Sequence, residues 1–360
     1  MKQKSLISAI LLIICVMANS QDKTYMNVQV GENEYKSFEV TPDLKVTWDS
    51  EKQETEVSKP AVSNGSATGI AEMKATLTGK ITDDGNGEIT ECGFYWGTTD
   101  NPSFKVSCDA ASDTLVYTLK GLKGNVKYYY RTFARNSKGE TCGQVQNFTT
   151  KSLTASSPAG TIGILDGIEA IVVDLPEVKK GAKIGGDNCY TTTEALPALK
   201  CAIATMNIGS TSVDETPYSY GTHFTFSEVQ RLDVTEYATS KGKWYIPTPD
   251  HLARLCSLSG YTPVSHKGCY WTFTNDGIET RLFIPVSGYY KPDNNLNSAT
   301  GDYAQAFVYT NTSASSGTVW IMNFRVGNTD STTSTQPKLV GPGATSDKYT
   351  YSIRLFHNLK

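Results

Sequence analysis

An acid, an imidazole and a thiol fall within seven positions of the stretch WYIPTPDHLARLC, residues 244–256: Asp250, His251 and Cys256. These are the residue types of a nucleophilic centre, in which a base takes the thiol proton across a direct hydrogen bond. The spacing argues against one. Thr248 is a good N-cap, Pro249 suits the first helical position and Asp250 faces the positive end of a helix, so a helix is expected from Thr248 to Ser257. At ~100° per residue, His251 and Cys256 then stand roughly 140° apart around the axis and cannot share a site. Leu252 and Leu255 share the inward face with Cys256 beside it, and Asp250 and Arg254, four apart, are placed to pair at the surface. The stretch reads as a capped helix with a buried cysteine.

Other groupings are weaker still. The acids of Asp83-Asp84-Gly85-Asn86-Gly87-Glu88 are consecutive, where a calcium loop alternates them, so a hairpin turn is expected. Thr274-Asn275-Asp276 and Lys291-Pro292-Asp293-Asn294-Asn295 offer oxygens, but too few for calcium, and Lys291 sets a cation where an acceptor is needed; both read as polar turns. Four His and no C-x-x-C exclude the usual zinc spacings. Gly185-Gly186-Asp187 lacks the strand-to-helix setting of a nucleotide loop. No serine triad, paired-acid arrangement or phosphate loop is present, and no cofactor or metal is expected. Aromatic residues are the one excess with functional content, because Tyr and Trp stack on sugar faces and anchor protein interfaces. Tyr289, Tyr290, Tyr303 and Tyr309 flank the polar loop 291–302. The candidate ligand-binding residues are Tyr289, Tyr290, Asp293, Asn294, Asn295 and Tyr303. Trp271 reads as core.

The positioning elements follow from pattern. Residues 1–20 carry Lys2 and Lys4, an apolar run from Leu6 to Met17 and Ala18-Asn19-Ser20, as a signal peptide does. The run is too short to span a bilayer comfortably. Export to the cell exterior or outer surface is expected, with a lipid anchor on Cys15 as the alternative. Seven Cys then remain, at 92, 108, 142, 189, 201, 256 and 269; export permits disulfides, and the odd count leaves at least one thiol over. A formal charge of -3 argues against a nucleic-acid partner. Period-two alternation at Val28/Val30, Phe38/Val40 and Leu44/Val46/Trp48 predicts a hairpin and a third strand in a short leader and linker, 21–59. Residues 60–150 are short strands between Gly/Asn/Asp turns, the pattern of a β-sandwich. In VKYYYRTFARN, Tyr128, Tyr130, Thr132 and Ala134 should face one way and Tyr129, Arg131, Phe133 and Arg135 the other. Residues 151–159, KSLTASSPA, read as a second linker. The remainder, 160–360, mixes strands with two helices, the first within Ser227–Tyr237.

Two resemblances go further. ECGFYWGTTDNP, LKGLKGNVKYYYRTFARNSKGE and QNFTT resemble bacterial fibronectin type III-like modules. In those modules a tyrosine six residues after a Leu, as Tyr128 follows Leu122, ties its strand to the preceding loop. LKCAIATMNIGSTS, YSYGTHFTFSE, KWYIPTPDHLARL, RLFIPVSGYY and YSIRLF, in that order, resemble the Fibrobacter succinogenes major paralogous domain family. Its fold is similar to C-type lectins and formylglycine-generating enzymes. Pro247, Thr248, Pro285, Gly288, Tyr289 and Arg354 match the family pattern, whereas Ile203 and Phe226 stand where the family has Trp. The enzymes of that fold use a redox cysteine pair that none of these cysteines matches. The fold expected is therefore mainly β with an α+β C-terminal part: a fibronectin-III-like sandwich followed by a C-type-lectin-like domain. The resemblance implies a non-catalytic surface protein that binds a glycan or a host or other protein. The alternative is a structural or accessory subunit of a cell-surface assembly.

Overall fold

A computed structural model describes residues 25–29, 35–42, 56–185, 189–211, 221–234, 243–264, 267–287, 289–290, 296–297, 303–315, 318–327, 337–343 and 350–359. The protein is mainly β and divides into two units, Met1–Glu56 and Val57–Lys360. In the first, β1 (Tyr25–Gln29) pairs antiparallel with β2 (Tyr35–Glu39), Tyr25 opposite Glu39. The expected hairpin is there; the third strand expected at 44–48 lies outside the described residues.

The second unit opens with a two-sheet sandwich. One sheet is β3 (Ala61–Asn64), β4 (Lys74–Asp83) and β7 (Thr114–Lys120), with β4 central. The other orders β10 (Gln146–Thr149), β8 (Lys127–Asn136), β5 (Glu91–Gly97) and β6 (Phe104–Ser107), with β9 (Gly139–Cys142) also on β8. Alternation supplies the core. Ala75, Leu77 and Ile81 meet Leu115 and Leu119 from one sheet and Phe94, Tyr128, Tyr130 and Ala134 from the other. Phe133 points away from that core, as expected, yet is buried: Tyr95 lies 4.9 Å from its ring and the Lys105 ammonium caps it at 4.3 Å.

The tyrosine spacing produces the expected tie. The Lys123 N–H donates to Tyr128 Oη at 2.9 Å, anchoring the loop that leads into β8. Replacing Tyr128 with Phe leaves that buried-side donor without its acceptor and should lower stability by about 1–2 kcal/mol in urea unfolding, with the slope unchanged.

The turn after β4 corrects a sequence expectation. Asp83 and Asp84 do form turns on their own backbone, accepting from Gly85 N at 2.8 Å and Asn86 N at 2.9 Å. The segment is not a hairpin, however. β4 and β5 belong to different sheets, so the connection arches across the sandwich. Local turn chemistry sets the bend but not the sheet in which the next strand finds its partner.

The C-terminal part builds three sheets around two apolar clusters. The first sheet orders β11 (Ile162–Leu165), β12 (Ile168–Leu175), β13 (Leu199–Asn207), β25 (Arg354–Asn358) and β15 (Trp244–Tyr245). The second orders β14 (His223–Phe224), β24 (Tyr351–Ser352), β21 (Tyr303–Ser315), β22 (Thr318–Gly327) and β23 (Lys338–Gly343). The third is the meander β16 (Tyr261–Val264), β17 (Gly268–Asn275) and β18 (Ile278–Pro285). β19 (Tyr289–Tyr290) and β20 (Leu296–Asn297) form a separate two-stranded sheet, with β19 lying against β24. Strands β12 and β13 are covered on both faces, which is why IEAIVVDL and LKCAIATMN read as near-continuous apolar runs. Ile171, Val173, Cys201 and Ile203 enter the larger cluster with Trp271, Leu282 and Phe324, and the small Ala170, Ala202 and Ala204 face the other with Trp244. Trp271 is core, as expected, its indole N–H donating to Leu258 O at 3.2 Å.

Both helices form. Helix α1 (Phe226–Arg231) is the short helix expected within Ser227–Tyr237, beginning one residue earlier; Thr225 caps it through Glu228 N, and the Glu228 carboxylate returns to Thr225 N. Helix α2 (Pro249–Cys256) begins at the Thr248 cap, with Leu252 and Leu255 buried.

Candidate functional site

The acid, the imidazole and the thiol of the α2 stretch are each committed elsewhere. His251 is the third residue of the helix, and its ring turns back onto the cap. Nδ1 meets the Thr248 backbone N–H at 3.3 Å and Thr248 Oγ1 at 2.7 Å, while Nε2 meets Tyr245 Oη at 3.0 Å. The ring does the work that a Glu or Gln does in a capping box. An Nδ1 that accepts twice carries no proton, so the network assigns the proton to Nε2. Tyr245 then passes its own hydroxyl proton toward Asn358 Oδ1. Burial, helped by the Arg254 cation and opposed by Asp250, lowers the His251 pKa.

Asp250 accepts from Tyr190 Oη at 2.5 Å. The surface pair expected between Asp250 and Arg254 does not form. Arg254 is buried, and its guanidinium donates to Pro197 O at 2.9 Å and to the Asp250 backbone carbonyl at 3.0 Å. It fastens the helix to the 196–198 segment, a role that four-residue spacing does not reveal. Cys256 packs against the larger core cluster, and burial pushes its thiol pKa well up. The imidazole has both nitrogens committed to Thr248 and Tyr245, so the stretch does not assemble a Cys/His pair.

This cap predicts acid sensitivity. A histidine whose folded pKa is depressed contributes stability above its unfolded value of about 6.5 and loses it as pH falls through the folded pKa, because only the unfolded chain then binds the proton readily. His357 is lowered in the same way by burial, with Asp166 at 3.6 Å opposing the shift and Lys243 adding to it. Unfolding monitored from pH 7.5 down to pH 5 should therefore show stability falling below about 6.5. His251→Gln should remove part of that slope while keeping the cap, and His251→Ala should cost about 1 kcal/mol at neutral pH.

Two of the aromatic candidates, Tyr289 and Tyr290, fall on the small hairpin. Tyr289 pairs with Asn297 and Tyr290 with Leu296, so the two strands bring together the ends of loop 291–295. Asp293, Asn294 and Asn295 lie outside the described residues. Tyr303 opens β21, opposite Gly327. The backbone thus gathers Tyr289 and Tyr290 at the base of the polar loop and starts β21 a short distance along the chain.

The Thr274-Asn275-Asp276 turn is where sequence reasoning missed most. Asp276 and Gly277, at φ 52° and 76°, close a tight hairpin between β17 and β18. That turn meets the sandwich: Lys74 Nζ lies 2.9 Å and Lys120 Nζ 3.5 Å from the Asp276 carboxylate, whose pKa is lowered by them. Beside it the backbones join directly. Gly124 N donates to Ile162 O at 2.8 Å and Ile164 N to Gly124 O at 2.9 Å, so Gly124 lies alongside Gly163 as an added parallel bridge on the free edge of β11. Asn125 Nδ2 donates to Ile164 O at 3.0 Å and Ser157 Oγ to Glu72 at 2.9 Å. Leu153, in the expected linker, is buried in the smaller core cluster. Residues 151–159 are pinned at two buried positions, Leu153 and Ser157, with most of the rest exposed. A crevice of about 140 Å³ remains there, lined by Met73, Lys74, Lys120, Pro158, Asp276 and Ile278. Ligand pockets usually enclose ~300–1,000 Å³, so the crevice reads as a packing seam.

No protein-family model matches the sequence, and no curated protein matches it. Among solved structures, the chain is similar to the sensor domain of the anti-sigma factor RsgI4 of Pseudobacteroides cellulosolvens. A short form is 19% identical over 27% of this chain and 100% of that one, at a TM-score of 0.22. A long form is 18% identical over 28% and 98%, also at 0.22. A solution structure is 16% identical over 30% and 92%, again at 0.22. At that score the likeness carries no statement about function. Among the described residues no helix is long and apolar enough to cross a membrane.

Proposed function

We propose that this chain is an exported, non-catalytic surface protein whose C-terminal, C-type-lectin-like part binds a glycan or a protein ligand, with the fibronectin-III-like sandwich as its mount. The observation that supports the reading is the β19–β20 hairpin, which sets two adjacent tyrosines at the base of a polar loop. Tyrosine residues next in the chain to a segment rich in Asp and Asn are residue types that suit a sugar face with its hydroxyls, or a polar protein epitope. The direct joint between Gly124 and β11 supports the mounting role, because the sandwich then presents the binding part in one orientation. Full-length protein screened against arrayed glycans and cell-surface proteins should give saturable binding to at least one class. Absence of binding to every member, with co-purification of partner chains, would replace this reading with the accessory-subunit one. A specific observation favours that second reading: β6 is a sheet edge, and its Phe104 is 61% exposed. Exposed edges of this kind accept a further strand.

A further inference from the structure

Two cysteines occupy opposed backbone positions at the edge of the sandwich. β5 and β6 pair antiparallel, with Phe94 opposite Val106 and Trp96 opposite Phe104. One more step of that register sets Cys92 opposite Cys108, and the Cys108 N–H donates to Cys92 O at 2.8 Å. Residues directly opposed in an antiparallel pair project to the same face. Here that face is the core: Cys92 is a member of the sandwich cluster and Cys108 packs against it. Cα atoms of such a hydrogen-bonded pair lie about 5.5 Å apart, inside the ~4.4–6.8 Å that a disulfide spans. Cys92 Sγ lies 3.8 Å from Cys108 O and 3.6 Å from Asp109 O, and Cys108 Sγ lies 3.8 Å from Val116 O, so closure requires the Cys108 side chain to turn from Val116 toward Cys92. Cys142 is the informative contrast. It lies opposite Phe133, on the outer face of the same sheet, and cannot take the place of Cys108.

We propose that Cys92 and Cys108 are a cross-strand redox pair, reduced in this structure, that closes to a disulfide when the chain meets a small-molecule or protein disulfide. Cys108 is the more accessible sulfur. Its thiolate attacks the oxidant's S–S bond, forming a mixed disulfide and expelling one thiolate. The Cys92 thiolate then attacks the Cys108 sulfur and expels the second. Two protein thiols lose two protons and two electrons, and the oxidant leaves as two thiols. Burial, then the neighbouring Cys108, Asp109 and Glu91, raise the Cys92 thiol to about 11, and burial raises Cys108 as well. Closure is therefore slow at neutral pH and quickens as pH rises. The bond pins the edge strand β6, which carries the exposed Phe104, to the interior strand β5.

The test is oxidation of the purified full-length chain with oxidised glutathione at pH 8.5, then alkylation, digestion and mass spectrometry. A linked peptide pair containing Cys92 and Cys108 is expected, together with a higher urea midpoint that reductant reverses. Cys108→Ser should lose both the link and the shift, and Cys142→Ser should keep both. Cys92 and Cys108 recovered as separately alkylated peptides, linked to other cysteines, or carrying glutathione without an internal bond would each overturn the proposal.

Discussion

Replacing Arg354 with methionine should destabilise the protein by about 3 kcal/mol, one of the largest single-residue losses expected in the chain. Arg354 sits where the closing strand leaves the β14–β23 sheet as β24 and enters the β11–β15 sheet as β25. Its guanidinium is buried and divides itself three ways: Nε donates to Asn207 Oδ1 at 2.8 Å, Nη1 to Ala204 O at 2.8 Å and Nη2 to Phe283 O at 3.1 Å. The first two acceptors flank the irregular register between Ile203 and Asn207, where β13 and β25 slip relative to each other. The third belongs to β18, so one side chain ties two sheets at the point where a third hands over its strand. Two effects compete. Burying the cation is unfavourable, and it lowers the pKa to about 9. Three hydrogen bonds to a charged donor, at ~1.5–3 kcal/mol each, outweigh it. Methionine fills similar volume but removes the three donors that reach Asn207 Oδ1, Ala204 O and Phe283 O. Lysine keeps the charge yet offers no planar fork, so it should recover less than half of the loss. Chemical denaturation of the three proteins checks the order; a methionine variant as stable as the parent would mean that the tie contributes nothing net.

The second large effect is expected at the joint. A Cβ on Gly163 would lie 2.9 Å from Gly124 O and 3.0 Å from Gly124 Cα, against backbone that cannot swing aside. Gly163→Val should therefore push the sandwich off β11 and sever the two backbone hydrogen bonds made by Gly124. A loss of about 2–3 kcal/mol is expected. Calorimetry should resolve two transitions where the parent shows one. Lys74→Ala, which removes one exposed partner of Asp276, should leave a single transition, because surface ion pairs contribute little. One transition in both variants would show that the backbone bridge does not couple the parts.

Much of the fold is legible in the sequence because it rests on local rules. The KYYYRTFARN alternation places Tyr128 and Tyr130 in the core and Tyr129 and Arg135 outside it. Thr248-Pro249-Asp250 marks the start of α2 to the residue. What stays hidden depends on partners distant in the chain. Arg254 is paired by spacing with Asp250 yet is captured by Pro197, 57 positions away. Phe133 follows its strand's outward phase but is covered by Lys105, which reaches over β5 from the edge strand β6. The KSLTASSPA segment has the composition of a linker, and nothing in it announces that Leu153 is core. Of the candidate binding residues, the pairing of β19 with β20 positions Tyr289 and Tyr290. An isolated stretch of chain does not disclose that arrangement, since it needs Leu296 and Asn297 to return.

The central claim, that the tyrosine hairpin binds a surface ligand, is tested most directly by titrating the full-length chain and its Tyr289→Ala and Tyr290→Ala variants with whichever array ligand the parent retains. Each substitution should weaken binding about tenfold or more, as truncation of an aromatic anchor does, while thermal unfolding stays unchanged. Undiminished affinity in both variants, at unchanged stability, would contradict the account and move the binding surface away from the hairpin.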